Sequence, residues 1–179
     1  WLLRTAPPDA GSAASAARSD VPRVVGLKPI WVQSGLWLAV IGCCGGMSVP
    51  IVHLVSHATD LGLSAATGAN LLAVLFVAAF VSRITFGMLA DRIGAMQTLL
   101  IGSACQTATL CLFAVVDSSS GLFLAALLFG LGFAGIMPCY PLIIRLLFPA
   151  SQAGWRIASQ YLFAAAGMAM GGWMGGVVF

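Results

Sequence analysis

Residues 83–94 of this 179-residue chain, which read RITFGMLADRIG, hold the most specific motif of the sequence. It lies between two long apolar stretches and ends with the spacing Gly-x-x-x-Asp-Arg-x-Gly, formed by Gly87, Asp91, Arg92 and Gly94. Glycine permits a tight backbone reversal, and a basic residue beside such a turn favours anionic lipid headgroups over hydrocarbon. The stretch therefore predicts a short turn between two apolar helices. Arg83 stands apart from this turn, about 12 Å before Asp91 along a helix.

The composition around this stretch is that of a membrane protein. Hydrophobic residues make up 60% of the chain, and only thirteen residues are charged, eight basic and five acidic. A soluble domain usually carries about 25% charged residues, so this chain could not cover a globular surface with charge. The net charge of +3 and the single lysine, Lys28, leave no electrostatic footprint for nucleic acid. We expect an integral membrane protein whose surroundings are the lipid bilayer and which has no nucleic-acid partner.

Five apolar blocks have the length needed to cross a bilayer, which is about 20 residues. In hydrocarbon, backbone hydrogen bonds must close within each segment, and the blocks are too long for barrel strands, so all five are predicted helices. Residues 1–30, rich in Pro, Ala, Ser and Gly, predict a linker. The prediction is an all-α integral membrane chain with a linker at 1–30 and a transmembrane bundle at 31–179, whose spans are 31–55, 70–90, 95–116, 121–144 and 157–178.

Basic residues predict the orientation of the bundle. Seven of the eight Lys and Arg residues fall in the linker, the 91–94 turn and the 145–156 connection, whereas 56–69 and 117–120 hold none. Basic residues concentrate on the cytoplasmic side of membrane proteins. The linker is therefore predicted to be cytoplasmic, in a multi-pass protein of the plasma membrane or a bacterial inner membrane.

The Gly87–Gly94 spacing, at a cytoplasmic turn between two spans, resembles the signature loop of the major facilitator superfamily. The resemblance implies a secondary active transporter that works by alternating access between two six-helix halves. On this likeness the chain is the carboxyl-terminal half of a twelve-helix fold, with the central linker and five of its six helices present. Gly87, Asp91, Arg92 and Gly94 would form a conformational-switch loop, and a missing amino-terminal half of the same protein would be the partner.

A narrower likeness concerns Arg83 and the segment Val52-His53-Leu54, which resemble the monocarboxylate-transporter and oxalate/formate-antiporter branch. There, an arginine one turn before a glycine of the eighth helix binds the substrate carboxylate, so the resemblance implies that Arg83 binds a small organic anion, a monocarboxylate in particular. Two features of the branch are absent: Ala79 stands where mammalian-type members have an aspartate, and the fifth span has no lysine. Two alternatives stay open: an efflux pump for hydrophobic compounds, with Arg83 structural, and a non-transporting truncated membrane protein.

Other polar residues are weaker candidates. His53, four residues before His57, could carry a coupled proton in a symport mechanism, or both could be interfacial hydrogen-bonders. Tyr140 and Gln160 could help to close an inner gate, or could serve in packing and capping. The histidine pair lacks a third ligand for a metal. No nucleophile–base, paired-carboxylate or phosphate-loop constellation occurs, so we expect neither an enzyme nor a cofactor.

Overall fold

The computed structural model describes residues 26–178, and every regular element in that range is an α-helix. Proline favours the first turn of a helix because its missing N–H has no partner there, and the first helix begins at Pro29 in this way. The six helices are α1 (Pro29–Asp60), α2 (Ala65–Ile93), α3 (Ala95–Phe113), α4 (Ser119–Phe133), α5 (Cys139–Leu147) and α6 (Ala150–Val178).

Short turns with recognisable capping chemistry connect the first four helices. The Ser64 hydroxyl accepts a hydrogen bond from the Thr67 N–H at the start of α2, and Ser118 does the same for Gly121 at the start of α4. Gly94 alone separates α2 from α3, with a φ of +93°, a conformation that favours glycine. These turns fold the chain into antiparallel helices, so that one end of the bundle carries Arg92 and the other carries Asp117. We call them the Arg92 end and the Asp117 end.

Two helix pairs form the most extensive contacts, α1 with α6 and α2 with α4. Both pairs approach closely at glycine. A Cβ at Gly171 would overlap the carbonyl oxygen of Gly45 in α1, and a Cβ at Gly130 would overlap the carbonyl oxygen of Leu75 in α2. Small residues allow such close backbone contact between helices in membranes. The buried core, with Phe129 among its largest side chains, lies between these pairs.

The predicted span at 121–144 is not one helix, which corrects the sequence-based expectation. Helix α4 ends at Phe133, residues 134–138 form turns, and α5 begins at Cys139. The N–H of Gly135 leaves the helical ladder and donates instead to the Ser82 hydroxyl of α2, at 3.2 Å. Pro138 has no N–H to resume the ladder. The interruption therefore has a local cause in Gly135 and Pro138 and a tertiary one in Ser82.

Other boundaries also differ from the predicted ones. Helices α1 and α2 extend beyond 31–55 and 70–90 at both ends, and α3 ends at Phe113, before residue 116. Helix α6 begins at Ala150, so most of the connection predicted at 145–156 is helical. Of the linker predicted at 1–30, residues 1–25 lie outside the described residues, and Pro29 and Ile30 already belong to α1.

Three of the described helices, α1, α2 and α3, are long and apolar enough to cross a membrane. Helix α4 is also apolar, but it is shorter, with 15 residues. Helix α6 has 29 residues and is about 44 Å long at 1.5 Å per residue. The length and composition of α1, α2 and α3 agree with a bundle built for a bilayer.

Candidate functional site

Arg83 lies on an exposed side of α2. Phe76, Phe80 and Gly87 share this side, because residues three, four and seven positions apart lie close together on a helix surface, and all four residues are exposed. Within residues 26–178, no hydrogen bond or ion pair joins Arg83 to another group. We call the side formed by these four residues the Arg83 face. It presents a guanidinium that has no partner among residues 26–178, beside two phenylalanine rings.

Contact of the Arg83 face with lipid would cost free energy, because of the position of Arg83 along α2. Arg83 lies about 15 Å from the Ile93 end of the helix and about 27 Å from the Ala65 end, at 1.5 Å per residue. A charge deep in hydrocarbon costs at least about 2.5 kcal/mol, so such residues face a bundle interior or a water-filled cavity. The Arg83 face is therefore suited to an aqueous or protein-lined space rather than to acyl chains.

The hydroxyl groups closest to Arg83 in sequence are already hydrogen-bonded within the bundle. Ser82 is fully buried and accepts from the Gly135 N–H. Thr85 donates to the carbonyl oxygens of Val81 and Ser82, at 3.2 and 3.1 Å. Because both hydroxyls bond to backbone groups, Arg83 supplies the polar chemistry of this face.

The loop residues predicted from the motif lie at the Arg92 end, beyond Arg83. Asp91 and Arg92 are exposed, and Gly94 serves both as the last cap of α2 and as the first cap of α3. The carbonyl of Gly94 accepts from the Thr98 hydroxyl at 2.9 Å, which fixes the start of α3. No atom of the described residues outside α2's own backbone lies within 4 Å of a Cβ placed at Gly87. Gly87 therefore does not bring two described helices together.

His53 packs against α6. Its Nε2 lies 2.9 Å from the carbonyl oxygen of Gly172, and since a carbonyl only accepts, that nitrogen carries the hydrogen. The imidazole also covers Gly175, where an added Cβ would lie 2.6 Å from His53 Cδ2. His53, His57 and Asp117 line a largely apolar cavity of about 270 Å³. Arg83 does not line this cavity, so the structure does not bring the two principal candidates into one site.

Tyr140 and Gln160 are both buried inside the bundle. The Tyr140 side chain is 1% exposed and belongs to the hydrophobic core. Gln160 donates to the carbonyl oxygen of Leu36 at 2.9 Å and accepts from Gln33 at 3.5 Å. Gln160 thus holds α6 against α1, whereas Tyr140 fills the core. No group of three His, Cys or Asp side chains in the described part of the chain could hold a metal ion.

Arg156 forms a buried polar cluster that the sequence-based interpretation missed. It was predicted to lie in a connection, but it lies in the second turn of α6 and is 5% exposed. Its guanidinium donates to Gln152 Oε1 at 2.8 and 3.2 Å and to Gln33 Oε1 at 3.2 Å. The rings of Phe148 and Trp155 cover it, with centroids 3.8 and 4.5 Å from Cζ. With Gln160, these residues form what we call the Arg156 cluster.

A signal for the Arg156 cluster does exist in the sequence. Gln152, Arg156 and Gln160 recur every four residues, which places them on one side of a helix, and Gln33 is the one amide side chain in the apolar block at 31–55. The pattern indicates one helix face only if the helix begins before residue 157. A span predicted at 157–178 excludes Gln152 and Arg156, and therefore hides the pattern.

Comparison with known proteins identifies the family. The family model of the Major Facilitator Superfamily matches residues 36–179, which is most of the chain. The chain belongs to this superfamily and is an integral membrane protein, so the resemblance of the Gly87–Gly94 spacing and the all-α partial fold are confirmed.

The chain is similar to several curated transporters at low identity. It is 25% identical over 134 residues to the MFS-type transporter opdF of Penicillium oxalicum, covering 74% of this chain and 32% of that protein. It is 26% identical over 120 residues to the MFS-type transporter pynF of Aspergillus niger, covering 66% and 27%. It is 30% identical over 95 residues to Monocarboxylate transporter 13 of Rattus norvegicus, covering 52% and 22%. The chain thus spans about a third or less of the length of these relatives.

Proposed function

We propose that the protein is a secondary active transporter that moves a small organic anion, a monocarboxylate, by alternating access, and that it is not an enzyme. The observation that carries the proposal is the exposed guanidinium of Arg83, which has no partner among the described residues and lies deep along a helix able to cross a membrane. In this proposal an amino-terminal half of the same protein faces Arg83, and the substrate binds between the halves.

The chemistry of arginine suits a carboxylate that binds and leaves. A guanidinium is always charged and presents paired N–H donors that match the two carboxylate oxygens. A charge in a low-dielectric space is stabilised by an opposite charge, and Ala79 supplies none one turn before Arg83. The substrate is therefore the proposed counter-ion. The likeness to a rat protein called a monocarboxylate transporter supports this substrate class.

The remaining predicted residues take secondary roles in the proposal. Asp91 and Arg92, which are exposed beside Gly94, are available to contact the other half and to stabilise one conformation of the transporter. His53, which hydrogen-bonds to the carbonyl oxygen of Gly172, is the proposed carrier of a co-transported proton, whose charge would offset that of the anion. Gln160 would influence an inner gate through its bond to α1, and Tyr140 through its packing in the core.

The basic residues of the Arg92 end support a cytoplasmic position for the linker in this proposal, by the positive-inside tendency. The membrane would be the plasma membrane or a bacterial inner membrane.

The proposal is tested by uptake of labelled pyruvate into vesicles that contain the full-length protein. Arg83→Lys keeps the charge and loses the paired donors, so we expect kcat/KM to fall by about 50-fold or more, the loss of a bidentate contact. Arg145→Lys is the matched control, because Arg145 is exposed at the end of α5 and should leave uptake unchanged. Equal uptake by wild type and Arg83→Lys would refute the assignment of Arg83.

Efflux of hydrophobic compounds is the second candidate, and the exposed rings of Phe76 and Phe80 beside Arg83 favour it. In that case the rings bind the substrate and Arg83 is structural. Arg83→Gln would then leave transport of a neutral apolar dye largely intact, whereas carboxylate uptake would be absent from the wild-type protein as well.

A further inference from the structure

Two phenylalanines extend the Arg83 face toward the Asp117 end. Phe80 is 67% exposed and Phe76 is 49% exposed. They precede Arg83 by three and seven residues, so their axial offsets from it are about 4.5 and 10.5 Å. A cation and two aromatic rings thus follow one another along the same side of α2.

The charge of Arg83, which has no partner in the described part of the chain, indicates the surroundings of the two rings. A side of a helix that carries an arginine deep in the membrane turns toward protein or water rather than lipid. Phe76 and Phe80 share that side, so their exposure is not explained by contact with acyl chains. Aromatic side chains contribute a large apolar surface where they meet a ligand, and here that surface lies directly beside the anion-binding group of the proposed function.

The same face offers little to a more polar substrate. The hydroxyls of Ser82 and Thr85 bond to backbone groups of the bundle. A dicarboxylate would need a second cation, and a hydroxy acid would need a hydrogen-bonding group for its hydroxyl. Apart from Arg83 itself, the Arg83 face consists of Phe76, Phe80 and Gly87, so it supplies neither.

We infer that the preferred substrate is a monocarboxylate with a bulky apolar body, of the aryl-acetate type, whose carboxylate binds Arg83 and whose ring lies against Phe80 and then Phe76. This inference rests on the proposed function, in which Arg83 binds the carboxylate. It goes beyond that proposal by assigning Phe80 and Phe76 as the residues that set substrate preference.

The test compares phenylacetate with pyruvate as labelled substrates of the full-length protein in vesicles. We expect the wild type to have a several-fold lower KM for phenylacetate than for pyruvate. Phe80→Ala should raise the KM for phenylacetate about tenfold, within the range for deleting an apolar pocket contact, and leave the KM for pyruvate within about twofold. Phe76→Ala should act in the same direction with a smaller effect, since Phe76 lies farther from Arg83.

Val81→Ala is the matched control. Val81 is exposed but lies about 160° around the helix from Arg83, at 100° per residue, and its truncation should change neither KM. Phe80→Leu, which keeps an apolar side chain, shows whether the aromatic ring itself is required, and measuring the amount of each variant in the membrane separates loss of binding from loss of folding.

The outcomes distinguish this inference from the proposed function. If Arg83→Lys abolishes uptake of both substrates while Phe80→Ala and Phe76→Ala leave the ratio of the two KM values unchanged, the inference is wrong and the proposed function stands. If Arg83→Lys leaves both uptakes unchanged, the proposed function fails and the inference fails with it.

Discussion

Two arginines in this bundle have opposite surroundings. Arg156, between α6 and α1, is 5% exposed, and its guanidinium is bonded to two glutamine oxygens and covered by two aromatic rings. Arg83, on α2, is exposed and has no hydrogen bond or ion pair within residues 26–178. The fold satisfies one guanidinium with its own side chains and leaves the other available.

The difference shows how a buried cation can be held without an acidic partner. A buried charge must be hydrogen-bonded or paired, and the Arg156 cluster uses neutral amide oxygens and the negative faces of aromatic rings. Gln33 of α1 forms two hydrogen bonds with α6: its Oε1 accepts from Arg156, and its Nε2 donates to Gln160. Arg156 therefore acts as a structural connection between two helices, whereas Arg83 connects nothing in the described bundle.

The largest expected effect comes from truncating each arginine in turn. Arg156→Ala removes the cation–π contacts and leaves the Gln152 and Gln33 oxygens without their donor, so we expect the free energy of unfolding to fall by about 2–4 kcal/mol. Arg83→Ala should change it by no more than about 0.5 kcal/mol, as for a surface substitution. Denaturant unfolding of the full-length protein in detergent measures both. Equal destabilisation by Arg156→Ala and Arg83→Ala would contradict the view that Arg156 has a structural role that Arg83 lacks.

A smaller effect is expected from replacing one glycine at the α1–α6 contact and one on the Arg83 face by alanine. Gly171→Ala would place a Cβ on the Gly45 carbonyl oxygen and push α6 from α1, with a loss of about 1–3 kcal/mol in the free energy of unfolding. Gly87→Ala meets open space on the Arg83 face, and alanine favours a helix over glycine by about 1 kcal/mol. We therefore expect Gly87→Ala to be neutral or stabilising in the same unfolding measurement. A loss at Gly87 equal to that at Gly171 would mean that the Arg83 face is packed.

The smallest effect should be the coupling between Gln33 and Gln160 inside the Arg156 cluster. Their direct bond is long, at 3.5 Å, and each residue also bonds elsewhere. A double-mutant cycle with Gln33→Leu and Gln160→Leu should give an interaction energy of about 0.5–1 kcal/mol. An interaction energy near zero would show that the two glutamines stabilise the α1–α6 contact independently.

Much of the architecture could be predicted because it depends on local properties. Helices in lipid must close their own backbone hydrogen bonds, so apolar blocks of sufficient length indicate helices wherever they pack. The Gly87–Gly94 spacing identified the superfamily, and the match to residues 36–179 confirms it. The turn at Gly94, with its positive φ, follows from the conformational freedom of glycine.

The break between α4 and α5 could not be predicted in the same way. Gly135 and Pro138 weaken the helix locally, but the Gly135 N–H leaves the helical ladder because the Ser82 hydroxyl of another helix accepts it. A bond between residues 53 positions apart has no signature in local sequence. The burial of Arg156 is similar, since it depends on Gln33 from the far end of the chain.

The membrane class, the helical fold and the family follow from the amino-acid sequence alone, because hydropathy, backbone hydrogen bonding and a short loop motif are properties of neighbouring residues. The sequence also singled out Arg83 as the charge deep in a predicted span. The packing of α1, α2 and α6 explains why Arg156 is hydrogen-bonded while Arg83 has no partner within residues 26–178, and no local pattern encodes that packing. The charge of an arginine is fixed by its residue type, whereas its hydrogen-bond partners are fixed by the packing of the helices.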